Sequence, residues 1–340
     1  MKFDDFWYVV AESKQLRANA ILSRMVLGEW LAIFRGDDGK AVALRDKCMH
    51  RNSRLSKGKV CQGQIHCPYH GWVYDKNGQV VAVPAEGKDF SQTTTRRSPS
   101  YETMEKDNYI YVRLAKQPSE EFQPFPMPYH KQTGWETVRV INRFNNNVTN
   151  CAENFIDIPH TASVHPGVFR KSRQQQLEMT VERKAGSVFA EYRNETNNLG
   201  WFAAFLNPKG HEIYHVDTFH MPNITSVEYH MGGNRRLFIT SQSIPENENS
   251  TLVYTDVTYN YGIWNKIARP FIRWTAQYII NQDVEALKIQ QQVIEKYGSQ
   301  FCNTPADTIH VFVESIRNKI ADGEDPRKLT EKSVQVKFWV

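Results

Sequence analysis

The first third of this 340-residue chain contains two related stretches, Asp46-Lys47-Cys48-Met49-His50-Arg51 and Cys67-Pro68-Tyr69-His70-Gly71-Trp72. Each stretch holds one cysteine and one histidine, and sixteen residues separate His50 from Cys67. Thiolates and imidazoles are metal ligands, and a set of two of each suits either tetrahedral zinc or a two-iron, two-sulfur cluster. The pattern therefore predicts a metal centre that both loops build together.

The order of the ligands along the chain favours one of these two interpretations. Zinc-binding motifs commonly take a pair of cysteines from one segment and a pair of histidines from another. Here each loop supplies one cysteine and one histidine, so each loop can reach both irons of a cluster in which one iron takes the thiolates and the other the imidazoles. We expect the [2Fe-2S] cluster, and a structural zinc site is the alternative.

A second group of metal-ligand residues lies in 153–170, where Asp157, His160 and His165 form the pattern D-x-x-H-x-x-x-x-H. Two histidines and one carboxylate on one face of Fe(II) leave positions open for O2 and substrate. On an ideal helix the two histidines would point about 140° apart. Pro159 and Pro166 flank the pair, and proline kinks or ends a helix. The spacing therefore predicts a broken helix.

Both groups of residues resemble the motifs of the Rieske non-heme iron oxygenases, although Met49 stands where many members have proline. The resemblance implies a Rieske [2Fe-2S] cluster and a mononuclear Fe(II). The cluster ligands would be Cys48, His50, Cys67 and His70, and two of the Fe(II) ligands would be His160 and His165. In this family the aspartate at the position of Asp157 is not a ligand; it bridges a Rieske histidine of the neighbouring subunit to an iron-bound histidine.

The resemblance also implies a third Fe(II) ligand, an aspartate on a late helix. Asp283 fits this role, because Asp283, Leu287 and Gln290 would share one face of a helix that is otherwise partly apolar. Asp256 and Asp307 are the weaker rivals for the same position.

Two further polar segments are weaker candidates for function. Asn154 stands where the family often carries an asparagine near the iron, so it is either a loose ligand or substrate contact, or a side chain that bonds to backbone. The histidine-rich segment 210–220 places His211, His215 and Asp217 on one face of a strand. We interpret that segment as structural rather than as a third metal site.

Composition excludes several classes of protein. The 42 lysines and arginines against 37 aspartates and glutamates leave too small a basic excess to indicate nucleic acid or a membrane surface as a partner. Cys61, Cys151 and Cys302 have no disulfide-framework spacing, so reduced thiols and a cytoplasmic location are expected. The sequence shows no signal-peptide core and no apolar run of the roughly 20 residues that a membrane helix needs, which argues against an anchored respiratory Rieske protein.

The distribution of patterns predicts an α+β chain with two domains. Residues 1–115 read as short strands, which predicts a small all-β Rieske domain. Residues 116–135 are rich in proline and aperiodic and read as a connection. Residues 136–340 predict a catalytic mononuclear iron domain with an antiparallel sheet covered by helices. Its expected elements are a metal-bearing helical segment at about 149–164, strands across 177–260, a long helix at about 264–296 and a later helix that starts at Thr304-Pro305.

The resemblance implies how this protein would work. The chain has no G-x-G-x-x-G nucleotide fingerprint, so a separate reductase or ferredoxin would supply electrons that come ultimately from NAD(P)H. An electron path that crosses subunits through Asp157 implies a homotrimer. The length resembles that of single-component terminal oxygenases such as vanillate and dicamba O-demethylases and natural-product Rieske hydroxylases. We therefore expect monooxygenation of a small organic substrate, by C–H hydroxylation or oxidative demethylation.

Three other functions are compatible with the same motifs. The first is cis-dihydroxylation of an aromatic ring, and the second is desaturation without oxygen insertion. The third is a non-catalytic electron carrier, which would need no second iron site. The sequence predicts neither the substrate nor the residues that line its pocket.

Overall fold

The computed structural model describes residues 1–117, 121–169, 175–193, 195, 200–207, 211–232 and 235–340, with the backbone alone at 203, 205 and 206. Residues 118–120 of the predicted connection lie outside the described residues. The chain forms two compact units. One unit comprises Phe3–Pro126 with Pro245–Asn247, and the other comprises Met1–Lys2, Met127–Ile244 and Glu248–Val340. The main boundary therefore falls inside the predicted proline-rich connection.

The first unit is all-β and contains two antiparallel sheets. The larger sheet has the strand order β1-β10-β9-β4-β3-β2, and the smaller has the order β5-β6-β7-β8. The strands are β1 Tyr8–Glu12, β2 Ile21–Val26, β3 Glu29–Arg35, β4 Ala41–Arg45, β5 Lys59–Cys61, β6 Gln64–His66, β7 Val73–Tyr74, β8 Val80–Ala82, β9 Ser100–Lys106 and β10 Tyr109–Arg113. Short 3₁₀ turns are Phe3–Asp5, Ser13–Gln15, Leu55–Lys57 and Pro84–Asp89.

The two Cys/His loops connect strands of this first unit. The first loop follows β4, and the second joins β6 to β7. Cys48, Leu55, Cys67 and Tyr74 belong to one buried apolar cluster, which anchors the base of each loop while its histidine stays nearer the surface. The prediction of a small all-β domain that carries both loops is confirmed.

The second unit has one antiparallel sheet with the strand order β11-β17-β16-β15-β14-β13-β12-β18 in its described residues. The strands are β11 Glu136–Phe144, β12 Gln176–Lys184, β13 Ser187–Arg193, β14 Tyr214–His220, β15 Ile224–His230, β16 Arg236–Asn247, β17 Ser250–Asn260 and β18 Lys332–Trp339. The helices are α1 Val148–Asn154, α2 Pro159–Ser163, α3 Trp201–Leu206, α4 Asn265–Tyr297 and α5 Thr308–Ala321. Further 3₁₀ turns are Gly262–Trp264, Pro305–Asp307 and Pro326–Lys328. This arrangement confirms the predicted α+β class.

Helix α4 covers one end of this sheet because one of its faces is apolar. Ile272, Ile280 and Leu287 are buried in the same core cluster as Val138 and Val140 of β11. The alternation of buried and exposed residues along β11 places those two valines on the face that α4 covers. Asp283 lies on this buried helical face, so its carboxylate points into the domain rather than into solvent.

The predicted helical segment at 149–164 is two helices rather than one distorted helix. α1 ends at Asn154, and α2 begins with Pro159 in its first turn. Asp157 lies in the break, where its Oδ2 accepts the backbone N–H of His160 at 3.1 Å. Such a cap satisfies an N–H that the proline-started helix would leave unpaired. His165 follows α2, so the two histidines are not held to the geometry of one helix.

In the described part of the chain, no helix is both long enough and apolar enough to cross a membrane.

A buried ion pair joins β11 to β17, the two strands that pack beside α4. Arg139 of β11 lies opposite Asp256 of β17, and its Nε and Nη2 donate to the two carboxylate oxygens at 2.7 and 2.8 Å. Asp256 is 2% exposed. We predict that Arg139→Met lowers the free energy of unfolding by about 3–5 kcal/mol, because it leaves a buried carboxylate without its cation.

The double variant Arg139→Met/Asp256→Leu should recover most of that loss, since neither charge is then buried alone. Urea unfolding followed by circular dichroism measures both. The control is Arg269→Met, which removes an exposed arginine that pairs with Glu136 of the same strand at 2.6 Å and should cost about 0–1 kcal/mol. An Arg139→Met loss no greater than that of the control would contradict this account of the pair.

Candidate active site

The two Cys/His loops of the first unit bring their side chains together. The ring centroids of His50 and His70 lie 4.4 Å apart, and the His50 ring stacks on Trp72 at 4.9 Å. Cys48 and Cys67 are both buried, and their thiols lie close enough to interact. Burial raises the pKa of the Cys48 thiol, and Cys67 adds to this effect while a hydrogen bond with Tyr74 opposes it. Two thiols inside and two imidazoles outside match the donor set of a Rieske cluster.

Backbone turns and one tyrosine hold these loops in shape. The N–H of Cys67 donates to the carbonyl of Trp72 at 2.8 Å, and Gly71 supplies the positive φ of 70° that this turn requires. The hydroxyl of Tyr74 lies 3.1 Å from Cys48 Sγ and accepts the N–H of Met49 at 3.0 Å. Nδ1 of His50 is buried and has no hydrogen-bond partner among the described residues. Coordination to a cluster iron would satisfy that nitrogen, so these residues fit the cluster.

The second unit brings His160, His165 and Asp283 to one point. Their nearest ligand atoms all lie within 4.8 Å of one another. Oδ1 of Asp283 lies 3.0 Å from His165 Nε2 and 3.5 Å from His160 Nε2. This oxygen is buried and makes no hydrogen bond of acceptable geometry with any described residue. An orphaned carboxylate oxygen between two imidazole nitrogens fits a metal ion that the three residues share.

Each histidine of this group is oriented through its other ring nitrogen. Nδ1 of His165 donates to Oε1 of Gln282 at 2.8 Å, and Nδ1 of His160 lies 3.2 Å from Oδ2 of Asp157. Both arrangements leave Nε2 as the nitrogen that faces Asp283, which is the tautomer a metal ligand requires. Burial would lower the pKa of His160, but Asp157 and Asp283 outweigh it and raise that pKa to about 9.

The rivals for the third ligand position have other roles. Asp256 pairs with Arg139, and Asp307 forms a capping box in which its Oδ2 accepts the N–H of Thr304 at 2.6 Å. Asn154 lines the same cavity as His160 and Asp283, and its Nδ2 is buried without a hydrogen-bond partner among the described residues. This position agrees with a substrate or metal contact, which stays a prediction.

A cavity of about 890 Å³, its open mouth included, begins at His160, His165 and Asp283. Most of its lining is apolar and comes from both the sheet and α4, as in Val227, Ile239 and Ile279. A mostly apolar cavity with a few convergent polar groups is typical of a small-molecule site. The geometry therefore places the three candidate ligands at the wall of a chamber that can hold a small organic molecule.

Two polar clusters, one buried beside this cavity and one partly exposed, were not predicted as functional. His215, Asp217 and Glu195 form one on the sheet side, and Glu153, His310 and Glu314 form the other on the helix side. In the second cluster the His310 ring lies between two carboxylates, an arrangement that suits charge pairing more than one shared ion. Each cluster contains one short-range pair, His215 with Asp217 or His310 with Glu314. The third member of each cluster, Glu195 or Glu153, lies far from that pair in sequence, so no motif connects the three residues. Among the aromatic residues of α3 and β14, Phe202 lines the cavity, whereas Trp201 and Tyr214 are exposed.

Comparison with known families agrees with both units. Residues 6–102 match the Rieske [2Fe-2S] domain, and residues 144–323 match the vanillate O-demethylase oxygenase C-terminal domain. The second match alone covers more than half of the chain. The chain therefore belongs to the Rieske non-heme iron oxygenases.

Curated relatives match part of the chain. The methylxanthine N3-demethylase NdmB of Pseudomonas putida is 33% identical over 175 residues, which are 48% of this chain and 48% of that protein. The toluene-4-sulfonate monooxygenase system iron-sulfur subunit TsaM1 of Comamonas testosteroni is 24% identical over 181 residues, 52% of this chain and 50% of that protein. A chlorophyllide a oxygenase of Chlamydomonas reinhardtii is 37% identical over 81 residues, 24% of this chain and 13% of that protein. The chain thus spans about half or less of the length of these relatives.

Solved structures show the same fold over nearly the whole chain. Dicamba monooxygenase bound to 3,6-dichlorosalicylic acid superposes with a TM-score of 0.80 at 23% identity, covering 95% of this chain and 98% of that one. NdmA of Pseudomonas putida with caffeine superposes with a TM-score of 0.79 at 18% identity, covering 95% and 93%. At identities this low the superpositions support the fold alone. The reaction of this chain has to be inferred from its own residues.

The hydroxyl of Tyr74 gives a first test of the candidate cluster site. Hydrogen bonds to the sulfurs help set the reduction potential of an iron–sulfur cluster, and a donor stabilises the reduced, more negative state. We predict that Tyr74→Phe keeps the cluster but lowers its reduction potential, as measured by protein-film voltammetry. Tyr69→Phe is the control, because Tyr69 is in the same loop and is 64% exposed. Equal potentials in Tyr74→Phe and the parent would show that this hydroxyl does not act on the cluster.

Gln282 gives a test of the candidate mononuclear site. It touches His165 rather than the metal position, so it orients a ligand without being one. Loss of such a partner typically lowers metal affinity by about 10–100-fold. We predict this loss for Gln282→Leu, measured by competition of the purified protein with an Fe(II) chelator. The matched control is Gln277→Leu. Gln277 lies on the same helix, and its amide donates to Asn142 of β11 and to Asn281 of α4. Unchanged affinity in Gln282→Leu would contradict the assigned orientation of His165.

Proposed function

We propose that this protein is the terminal oxygenase of a multicomponent system that inserts one oxygen atom of O2 into a small organic substrate. The reaction would be C–H hydroxylation or oxidative demethylation. The observation that carries this proposal is the convergence of His160, His165 and Asp283 on the wall of an apolar cavity. Two imidazoles and one carboxylate with open positions are the donor set of non-heme Fe(II) oxygenases.

The residues around the site would support this chemistry in separate ways. When bound, Fe(II) would supply O2 binding and activation, and the Rieske cluster would supply electrons one at a time. Asp157 and Gln282 orient the two histidines through their Nδ1 atoms. The apolar lining excludes water from the chamber, which strengthens the electrostatic effect of each polar group inside it.

Asp157 is the residue that we propose for the bridge to a second subunit. Its side chain is 37% exposed while one oxygen lies beside His160, so the carboxylate can contact both an iron ligand and an approaching partner. The bridge rests on the family resemblance and implies a homotrimer. A separate NAD(P)H-dependent reductase or ferredoxin would deliver the electrons, since the sequence has no nucleotide fingerprint. A cytoplasmic location, inferred from the cysteine pattern, is part of the same proposal.

Monooxygenation is favoured over cis-dihydroxylation by the comparisons. The C-terminal domain match is to an O-demethylase oxygenase, and relatives are named as demethylases and as a monooxygenase subunit. Mass spectrometry of products formed under labelled O2 separates the two reactions. A monooxygenase leaves one labelled atom among the organic products of each turnover, whereas a dihydroxylating enzyme leaves two in one product.

Electron paramagnetic resonance of the dithionite-reduced, iron-replete protein with nitric oxide tests whether the second iron centre exists. We expect a Rieske signal together with a ferrous–nitrosyl signal. His160→Ala should lose the nitrosyl signal and keep the Rieske signal, because it removes one ligand of the mononuclear site alone. His220→Ala is the control, since His220 contacts Ser226 at 3.3 Å and is not in the candidate site.

The same spectra can contradict the proposal in two ways. A Rieske signal with no nitrosyl signal in the parent protein would indicate an electron carrier. Stoichiometric zinc without a Rieske signal would exclude the oxygenase altogether.

A further inference from the structure

A band of polar side chains crosses the apolar sheet wall of the cavity. The inward-facing positions of four neighbouring strands contribute to it, and every member is at most 3% exposed. Its members that line the cavity are His215, Asp217, Thr225, Ser241 and Thr255. Thr225 lies opposite Ser241 in the strand register, and the hydroxyls of Ser241 and Thr255 are 3.2 Å apart. Burying polar groups costs free energy, so five buried polar side chains in an otherwise apolar wall need an explanation.

His215 is held rigidly at one end of this band. Its Nδ1 lies 2.9 Å from Glu195 Oε2, and its Nε2 lies 3.0 Å from Asp217 Oδ1. The rings of Tyr192 and Tyr229 stack on it with centroids at 4.7 and 4.1 Å. Burial would lower the pKa of His215, but the two carboxylates outweigh it and raise that pKa to about 9. The ring is therefore an imidazolium near neutral pH, and neither of its N–H groups is left over for a ligand.

Asp217 supplies hydrogen-bond acceptors to the cavity. A carboxylate has about four acceptor positions. His215 occupies one, and the neighbouring Tyr192 hydroxyl also interacts with this carboxylate, so acceptor capacity remains. Among the described residues that line the cavity, none is lysine or arginine. Among the described residues of this cluster, Glu195 and Asp217 flank a single imidazole ring, so the side that faces the cavity offers hydrogen-bond acceptors rather than donors.

We infer that Asp217 anchors a substrate with an apolar, ring-sized body and an amine or other hydrogen-bond-donating group, and that the cavity rejects carboxylate substrates. This inference rests on the proposed function, because it takes the same cavity as the substrate site. The donor group would bind at the polar band on the sheet. The opposite end of the molecule would then lie towards His160, His165 and Asp283, where the reaction is proposed.

A purely structural role for the band is the competing explanation. A satisfied buried network can also fix strand positions without touching a ligand. The two explanations differ in ligand selectivity, because a structural network has no reason to distinguish an amine from a carboxylate on the same ring, whereas an acceptor-rich anchor does.

The test is isothermal titration calorimetry of the whole purified protein, oxidised and anaerobic, with three probes that differ in one group. The probes are 4-methoxybenzylamine, 4-methoxybenzyl alcohol and 4-methoxybenzoate. A charge-assisted hydrogen bond to a buried carboxylate should favour the amine over the benzoate by about tenfold or more. The alcohol, a neutral donor, should fall between them. A benzoate that binds as tightly as the amine, or an amine that does not bind, overturns the inference.

Asp217→Asn keeps the size of the side chain and removes its charge, so the amine-to-benzoate preference should fall by about tenfold. Thr218→Ala is the control, since Thr218 is the next residue of the same strand and does not line the cavity. A preference that survives in Asp217→Asn assigns the network a structural role only. If Asp217→Asn does not fold, the ranking of the three probes on the parent protein decides the question by itself.

This binding measurement needs neither reduced iron nor turnover. A failed probe ranking together with a ferrous–nitrosyl signal would overturn the substrate inference and leave the oxygenase proposal standing. The expected probe ranking without a ferrous–nitrosyl signal would support the substrate inference and overturn the oxygenase proposal.

Discussion

The end of helix α2 at Ser163 decides whether the candidate iron site can form. Two histidines five residues apart cannot point to one place from a regular helix. His160 lies in α2, whereas His165 follows the end of that helix, and Asp157 accepts the backbone N–H of His160 at the start of α2. Asp283 then lies beside both histidines because α4 packs its apolar face on the sheet and carries that carboxylate inward. A helix that continued regularly through His165 would point the two imidazoles about 140° apart.

Four aspartates of the second unit show how neighbouring groups divide one side-chain type among different tasks. Asp256 forms an ion pair with Arg139 that joins two strands of the sheet. Asp283 meets two imidazole nitrogens, and Asp157 meets the far side of one of those imidazoles. Asp217 meets His215 and faces the cavity. All four are carboxylates with similar intrinsic chemistry. The roles proposed for them in structure, metal binding, histidine orientation and substrate contact therefore differ only through the groups that each one contacts.

Features whose residues lie close together in the sequence could be predicted from the sequence alone. The Cys/His loops, the proline-flanked histidines and the long helix that carries Asp283 are each contained in a short window, and the fold class follows from such windows. Strand β18 was missed because Lys332–Trp339 has an exposed, lysine-containing pattern and gains its place by pairing with β12, which lies about 150 residues earlier. The polar band of the cavity was missed because its members come from four strands, and only sheet register brings them together. The preference for Asp283 over Asp256 came from the family resemblance, and the pairing of Asp256 with Arg139, a contact that no sequence window contains, agrees with it.

We propose that His160, His165 and Asp283 hold one iron that is separate from the cluster. Anomalous diffraction from crystals of the iron-replete protein, recorded above and below the iron absorption edge, locates each iron. We expect an iron peak bounded by Nε2 of both histidines and the carboxylate of Asp283, in addition to the peak of the cluster between Cys48, His50, Cys67 and His70. An iron peak at the cluster alone, or a second peak among Glu153, His310 and Glu314 instead, would contradict it.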